Sequence, residues 1–495
     1  MTSHTNTTMA TAAPGPAQRL PLLVVATAQL MLVLDDTIAN IALPSIQRQF
    51  GVPDSVLPWI INAYVLAFGS LLLFGGRLGD LFGRRRVLRI GLALFSAASL
   101  FGGLGVNAEM LIASRGLQGL GAALVAPNVL ALIATTFPMG KARNAAMAVY
   151  AAMSAVGMTI GVLLGGVLTG MLSWRWVFLI NVPIGLAVLL GTRTLAEGTR
   201  GRGKLATVDA VSASGALFAL AFGITRGGEQ GWADPMTMAA LGLAAVLAGV
   251  FVWLQMKREH PMLPLRLLRH SNRSGSYLVV LFIGAGLMAT YYLLTLYMQQ
   301  VLGFSPVLAG VASLPVSVGI VVSAGISTRL VEHLAPRLVA VPGLVIAAAG
   351  MLWLSALSVG SSYLWHVLPA LFVTYFGLGM GFMPLTLTAV GGVDESDAGV
   401  ASAILNTAQQ IGAALGVSVL ATIASITSSR TLPDAGRVLS AATASGDAAA
   451  IERATAALTS GFSSAFMAAA GMMLLATGIV LAMVRTPRAP RACAC

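Results

Sequence analysis

Two adjacent carboxylic acids, Asp35 and Asp36, stand in Leu34-Asp35-Asp36-Thr37-Ile38-Ala39-Asn40-Ile41-Ala42-Leu43-Pro44, near the end of the first long apolar stretch. A charge at bilayer depth costs roughly 2.5–3.5 kcal/mol on insertion scales, so its natural uses are an ion or a substrate path. A carboxyl whose hydration changes between two conformations can load a proton on one side and release it on the other. Asp35 is read as the protonation site. Asp36, turned about 100° from it on a helix, is the second candidate; one of the pair is expected to face a cavity and the other to be structural. Capping of a frayed helix end is the plain alternative, but apolar sequence continues past the acids to Pro44. Arg115, in Arg115-Gly116-Leu117-Gln118-Gly119-Leu120-Gly121-Ala122-Ala123, lies in another apolar stretch. It must face a carboxylate, carbonyls or water, or else extend its guanidinium to an interface.

Uncharged polar residues form two further sets. Asn406, Gln409 and Gln410 share one helix face at i, i+3 and i+4, and Thr290, Tyr291, Tyr292, Thr295 and Tyr297 cluster in another apolar run. Asn406, Gln409, Tyr291 and Tyr292 are candidates to line an apolar cavity with a few placed polar groups. Equally, these residues would serve as interhelical hydrogen bonds, each worth about 0.6 kcal/mol.

The elements that must position these groups are membrane helices. Hydrophobic residues make up 57% of the 495 and charged residues only 9%, against about a quarter charged in a soluble domain; the mean hydropathy is +0.86. Fourteen apolar runs of bilayer-spanning length extend from 20–43 to 461–484. The first eighteen residues are polar and Pro/Ala-rich, so no cleavable signal is expected. The loops that alternate onto one side, together with Arg19 and the C-terminal tail, hold 22 of the 29 lysines and arginines, which makes that side, with both termini, cytoplasmic. The net charge of +12 is therefore a topology signal, and no nucleic-acid partner is expected. Three lysines against twenty-six arginines indicate a GC-rich bacterial genome, hence a multi-pass protein of the bacterial cytoplasmic membrane.

An internal repeat divides the chain. Gly76 to Leu92 corresponds to Thr328 to Leu344, 252 residues later, through Arg77/Arg329, Leu78/Leu330, Asp80/Glu332, Arg85/Arg337, Val87/Val339, Gly91/Gly343 and Leu92/Leu344. Two six-helix halves with two inserted helices give this offset, and such repeats build transporters that rock around a midplane site. The expected organisation is a cytoplasmic tail 1–18, a six-helix bundle 19–194, a linker with two inserted helices 195–262, a second bundle 263–485 and a tail 486–495. An Ala/Ser-rich outer loop is expected at about 428–460.

The segment Gly76-Arg77-Leu78-Gly79-Asp80-Leu81-Phe82-Gly83-Arg84-Arg85-Arg86 combines turn-forming glycines, an acid and a basic cluster between two runs. It resembles the signature loop of the major facilitator superfamily. The resemblance implies that Gly76, Arg77, Asp80, Gly83, Arg84 and Arg85 govern conformational switching, and that Arg115 assists proton transfer. The glycine face Gly157, Gly161, Gly165 and Gly166 is similar to the packing motif of the superfamily's antiporters, except that Val162 replaces its proline. Trp174-Arg175-Trp176-Val177-Phe178-Leu179-Ile180-Asn181-Val182-Pro183-Ile184-Gly185, whose tryptophans read as interfacial anchors, resembles the fourteen-helix drug/proton antiporter branch. So does the opening acid motif, in which Asp35 takes the family position.

The all-α chain is thus expected to have a major facilitator fold of fourteen transmembrane helices. The expected activity is proton-antiport export of lipophilic drugs, antibiotics or a natural product, by alternating access; a proton-coupled nutrient importer is the alternative. An actinomycete source fits the composition. Beyond Asp35, Asp36 and Arg115 no further ionisable residue is placed in a span interior, which favours neutral or singly charged substrates over dications. The five histidines show no metal spacing, and Cys493 and Cys495 in the tail are the only cysteines, so no metal, no cofactor and no enzymatic activity are expected. The proton gradient would supply the energy, the lipid bilayer the surroundings, and a monomer the working unit.

Overall fold

In the computed structural model, which describes residues 16–53, 55–137, 141–197, 207–258, 261, 269–390 and 395–484, the apolar runs are helices and no strand occurs among the described residues. Helix is the form that lets each backbone N–H and C=O pair within its own segment where water is absent. The first half comprises α1 (Pro16–Phe50), α2 (Leu57–Phe82), α3 (Arg84–Gly103), α4 (Ala108–Thr136), α5 (Lys141–Val167) and the short pair α6 (Trp176–Leu179) and α7 (Asn181–Gly191). An inserted hairpin follows, α8 (Thr207–Gln230) and α9 (Pro235–Lys257). The second half has α10 (Ser271–Leu296), α11 (Pro306–Ala312), α12 (Leu314–Val331), α13 (Pro336–Ser355), α14 (Leu368–Val390), α15 (Glu395–Thr431), α16 (Ala435–Ser445) and α17 (Ala448–Met483). Residues 1–15 of the expected N-terminal tail 1–18, the whole of the expected tail 486–495 with both cysteines, and much of the linker lie outside the described residues.

Among the described residues, twelve helices are long and apolar enough to cross a membrane, and the bent pair Leu57–Leu72 and Phe74–Phe82 raises this to thirteen. The expected fourteen is not confirmed among the described residues, where the apolar stretch of α5 counted is Val156–Leu172. The outer loop is also shorter than expected. Asp447 accepts the Ala450 N–H at 3.0 Å as an N-cap, and the Ala-rich stretch after it is helical, so α17 begins at Ala448 and α16 occupies the remaining loop.

The sequence repeat has a structural cause. Gly91 of α3 lies where a Cβ would meet the Gly121 carbonyl oxygen of α4 at 2.9 Å, and its counterpart Gly343 of α13 where a Cβ would meet the Gly381 nitrogen of α14 at 2.6 Å. Both halves bring two helices together at the same register through a missing side chain. The segments that precede them turn alike: α2 ends at Phe82 and α3 starts at Arg84, while α12 ends at Val331 and α13 starts at Pro336. We call the face that holds these turns the basic face.

Gly83 alone joins α2 to α3, with φ 98° and ψ 124°. A side chain tolerates this conformation at a cost of about 1–3 kcal/mol. Gly83→Ala is therefore expected to lower the thermal unfolding midpoint of the detergent-purified protein. Gly116→Ala, with no atom within 4 Å of its Cβ position, is expected to leave it unchanged.

The inserted hairpin packs α8 against both α2 and α15 and leaves α9 facing outward. Ion pairs fasten its two ends. Asp209, fully buried, pairs with Arg258 at 2.8 Å and accepts from Gln255 at 2.8 Å. At the other end Asp234 pairs with Arg226 at 2.8 Å, and the Arg226 hydrogen bond and the Thr237 backbone N–H hold the Asp234 carboxyl at about 2, ionised at physiological pH. Asp209 adds a buried acid to the three ionisable residues expected inside the spans. It escapes a hydropathy reading because it stands two residues inside the helix start.

Candidate functional site

Asp35 and Arg115 are both fully buried and form an ion pair, Arg115 Nη1 donating to Asp35 Oδ2 at 2.6 Å. The other carboxylate oxygen accepts from Gln118 Nε2 at 2.9 Å and from Asn181 Nδ2 at 2.7 Å. Gln118 also donates to Ser99 Oγ at 2.8 Å, and Arg115 Nε donates to the Ile60 carbonyl at 3.0 Å. The guanidinium lies over the Tyr64 ring, 4.3 Å from its centroid, a cation–π contact. This network ties α1, α2, α3, α4 and α7 into one unit. It contradicts the snorkelling alternative for Arg115, and it turns against the reading of Asp35 as the protonation site, because both of its carboxylate oxygens are already engaged.

Asp36 has the other role foreseen for the pair. It lines a cavity of about 660 Å³ between the halves, a volume ordinary for a small-molecule site. The wall includes Tyr64 and Phe68 of α2, Tyr150 of α5 and Asn406, Gln409 and Gln410 of α15. α4, α5 and α15 offer the segments nearer the basic face and α1 and α2 offer mid-helix residues, so the cavity extends from the middle of the bundle toward that face. The expectation that Asn406 and Gln409 meet such a cavity agrees with this placement. Tyr291 and Tyr292 correct it: both are buried in the packing of α10, neither lines this cavity, and Tyr292 borders a separate small pocket with Leu57 and Phe462. Because α10 is surrounded by neighbours, its polar residues do not mark a single open face.

On the opposite side the halves are drawn together. Gln299 Nε2 donates to the Ile41 carbonyl at 3.0 Å, Gln300 Nε2 to Gln47 Oε1 at 3.0 Å, and Asn62 Nδ2 to Ser418 Oγ at 2.8 Å. The glycine face of α5 packs mainly within the first half, against α1. A Cβ on Gly157 would meet Val33 of α1 at 3.1 Å, one on Gly161 would fall on the Thr37 hydroxyl, and one on Gly165 would meet Ile38 at 3.0 Å. Gly166 instead approaches the Pro306 carbonyl oxygen of α11, 2.7 Å from its Cβ position, so this glycine serves the contact between halves. Val162 is buried where the resembled motif has a proline, and α5 runs on past it.

The loop residues lie at the basic face. Asp80 pairs with Arg84 at 2.9 Å, and Arg84 Nη1 donates to the Ala131 carbonyl at 3.3 Å. Arg85 pairs with Glu197 at 3.3 Å and donates to the Leu195 carbonyl at 3.2 Å. Gly76 approaches Pro127 of α4, whose Cβ is 3.5 Å from its own Cβ position. Arg77 is half-buried. Gln118 and Asn181 were missed as site residues although both stand in the quoted motifs; an uncharged amide in an apolar run stands out less than an arginine. Trp174 is also corrected. It is buried, donates to Gln49 Oε1 at 2.6 Å and stacks edge-on with Phe50 and Phe178, whereas Trp176 is exposed as an interfacial anchor would be.

Two helical halves, a mid-membrane cavity between them and a buried charge network beside it define a membrane transporter, not an enzyme. The family model described as Major Facilitator Superfamily matches residues 25–417. Among similar proteins, the puromycin resistance protein pur8 of Streptomyces alboniger is 41% identical over 86% of this chain and 85% of its own length. The cephamycin export protein CmcT of Amycolatopsis lactamdurans is 39% identical over 81% of this chain and 84% of its own. A crystal structure of a bacterial homolog to the human lysosomal transporter Spinster superposes with a TM-score of 0.67 at 17% identity, over 97% of this chain and 100% of that one; this likeness concerns the fold. The chain belongs to the major facilitator superfamily, alongside its antibiotic resistance and export proteins.

Proposed function

We propose that the protein exports lipophilic drugs, antibiotics or a natural product across the bacterial cytoplasmic membrane in exchange for protons, by alternating access. The observation that carries this reading is the 660 Å³ cavity between the halves with the Asp36 carboxyl in its wall. Apolar and aromatic surface would take up a lipophilic molecule, and the few polar groups would orient it. The resistance and export activities named for its relatives support the direction of transport. The bias of basic residues toward one face supports a cytoplasmic position for that face and for the termini, and on that reading the cavity opens inward. The Asp35–Arg115 network holds the first half together as that half moves, and the one-residue turn at Gly83 links α2 and α3 at the moving edge. No cofactor enters this reading: the proton gradient supplies the energy, and a single chain surrounds the cavity.

The reading is tested by expressing the protein in a susceptible host and measuring accumulation of puromycin and ethidium. Lower accumulation than in control cells, restored by a protonophore, is expected. Higher accumulation, dependent on the same gradient, would instead establish the importer.

A further inference from the structure

We infer that protons from the outer face reach the Asp36 carboxyl along the contact between α1 and α10, with the Tyr291 hydroxyl as the relay group. This rests on the proton-exchange reading above and gives a role to residues which that reading leaves without one. Asn40 lies one turn beyond Asp36 on α1 and is fully buried. Its Nδ2 donates to the Asp36 carbonyl at 3.1 Å and approaches Met288 Sδ of α10 at 4.0 Å. Tyr291 follows Met288 on the same face of α10. Its side chain is within electrostatic reach of Asp36 and neighbours Thr295 and Ser313. Further out, Gln299 Nε2 donates to the Ile41 carbonyl, and Gln300 Nε2 donates to Gln47. These residues form a line of polar groups from Asp36 to the outer face.

The line is interrupted where it passes the acid. Asn40 Oδ1 and the Tyr291 hydroxyl are buried with no hydrogen-bond partner among the described residues, although buried polar atoms are nearly always paired. An interruption is what coupling requires in this state. Asp36 borders a cavity that extends toward the basic face, and a continuous chain of hydrogen bonds to the outer face would leak protons across. Water that enters the seam as the outer ends of the halves part completes the line. Thr295 and Ser313 spend their own hydrogens on the Tyr291 and Ala309 carbonyls, each at 2.8 Å, so their oxygens keep lone pairs that accept from such a water.

The transfer balances on one phenol. The Tyr291 O–H bond breaks toward the ionised Asp36 carboxylate, and an O–H bond forms on the carboxyl. The water held by Thr295 and Ser313 returns a hydrogen to the phenol oxygen and takes one from the outer solution. One proton moves inward, and the tyrosine ends as it began. The titratable and charged groups that face Asp36 and Tyr291 are Asp35 on α1, Tyr64 on α2, Arg115 on α4 and Tyr375 on α14; Tyr150 of α5 shares the cavity wall with Asp36.

The test compares Tyr291→Phe with the intact full-length protein, purified and reconstituted in liposomes, with radiolabelled ethidium as the probe. Because the hydroxyl makes no hydrogen bond here, the thermal unfolding midpoint is expected to stay unchanged. Transport driven by a pH gradient is expected to fall about tenfold or more, the scale of a lost proton-transfer group. Exchange of ethidium for ethidium at equal pH needs no return of protons and is expected to keep its rate, and binding its affinity. Thr295→Val, which removes an acceptor for the same water, is expected to show the same split. A full gradient-driven rate in Tyr291→Phe would overturn the inference. So would a loss of transport and exchange together, or a lowered midpoint, since both mark a packing role. If the intact protein fails to move ethidium, or moves it without response to the pH gradient, the proton-exchange reading falls and the relay with it.

Discussion

Arg115→Ala is expected to destabilise the protein by about 3–5 kcal/mol, because it leaves the Asp35 carboxylate buried without its partner. The pair is fully buried at 2.6 Å, and Asp35 would keep only the Gln118 and Asn181 amides. Keeping a lone carboxylate out of water is the largest cost, so the loss should exceed that of any single hydrogen bond in the network. The double variant Asp35→Asn/Arg115→Gln carries no buried charge and is expected to recover most of the stability. Monodisperse elution after a temperature series measures both. If single and double variants unfold together, the pair is not the element that holds the first half together.

The second large effect concerns access. With Cys493 and Cys495 replaced by serine the chain has no other cysteine, so introduced thiols report cleanly. Gln409→Cys, in the cavity wall, is expected to react with an impermeant maleimide from the basic face about tenfold faster than Leu296→Cys reacts from the opposite face. That ratio corresponds to a bias of roughly 1.4 kcal/mol toward the state described. Leu296 is buried and borders a small pocket with Leu57 and Gln300, on the side where the Gln300–Gln47 and Asn62–Ser418 hydrogen bonds join the halves. Each such bond is worth about 0.6 kcal/mol, so Asn62→Ala with Gln300→Ala should raise labelling of Leu296→Cys roughly eightfold. Equal labelling from both faces, insensitive to these substitutions, would contradict a closure built from them.

What could be read from the sequence followed the strength of the local signal. Asp35, Asp36 and Arg115 were legible because charges in apolar runs are costly, and the repeat was legible because Gly91 and Gly343 each permit the same close helix contact. The division of labour within the acid pair was not legible. Adjacent residues point 100° apart, but only the surrounding helices decide that Asp35 meets Arg115 and Asp36 meets the cavity. Asn406 and Gln409 were placed by their shared face, whereas the same logic failed for Tyr291 and Tyr292, since α10 is packed on most sides. Asp209 and the early start of α17 were missed for a common reason: helix ends are set by caps and ion pairs that hydropathy does not register.

Proton coupling is the central claim, and everted membrane vesicles acidified inside, with a pH-sensitive dye, test it most directly. Adding ethidium to vesicles with the intact protein is expected to release protons from the interior as the compound enters, and vesicles with Asp36→Asn should show no release. Accumulation of ethidium by the intact protein without any proton movement would contradict the account.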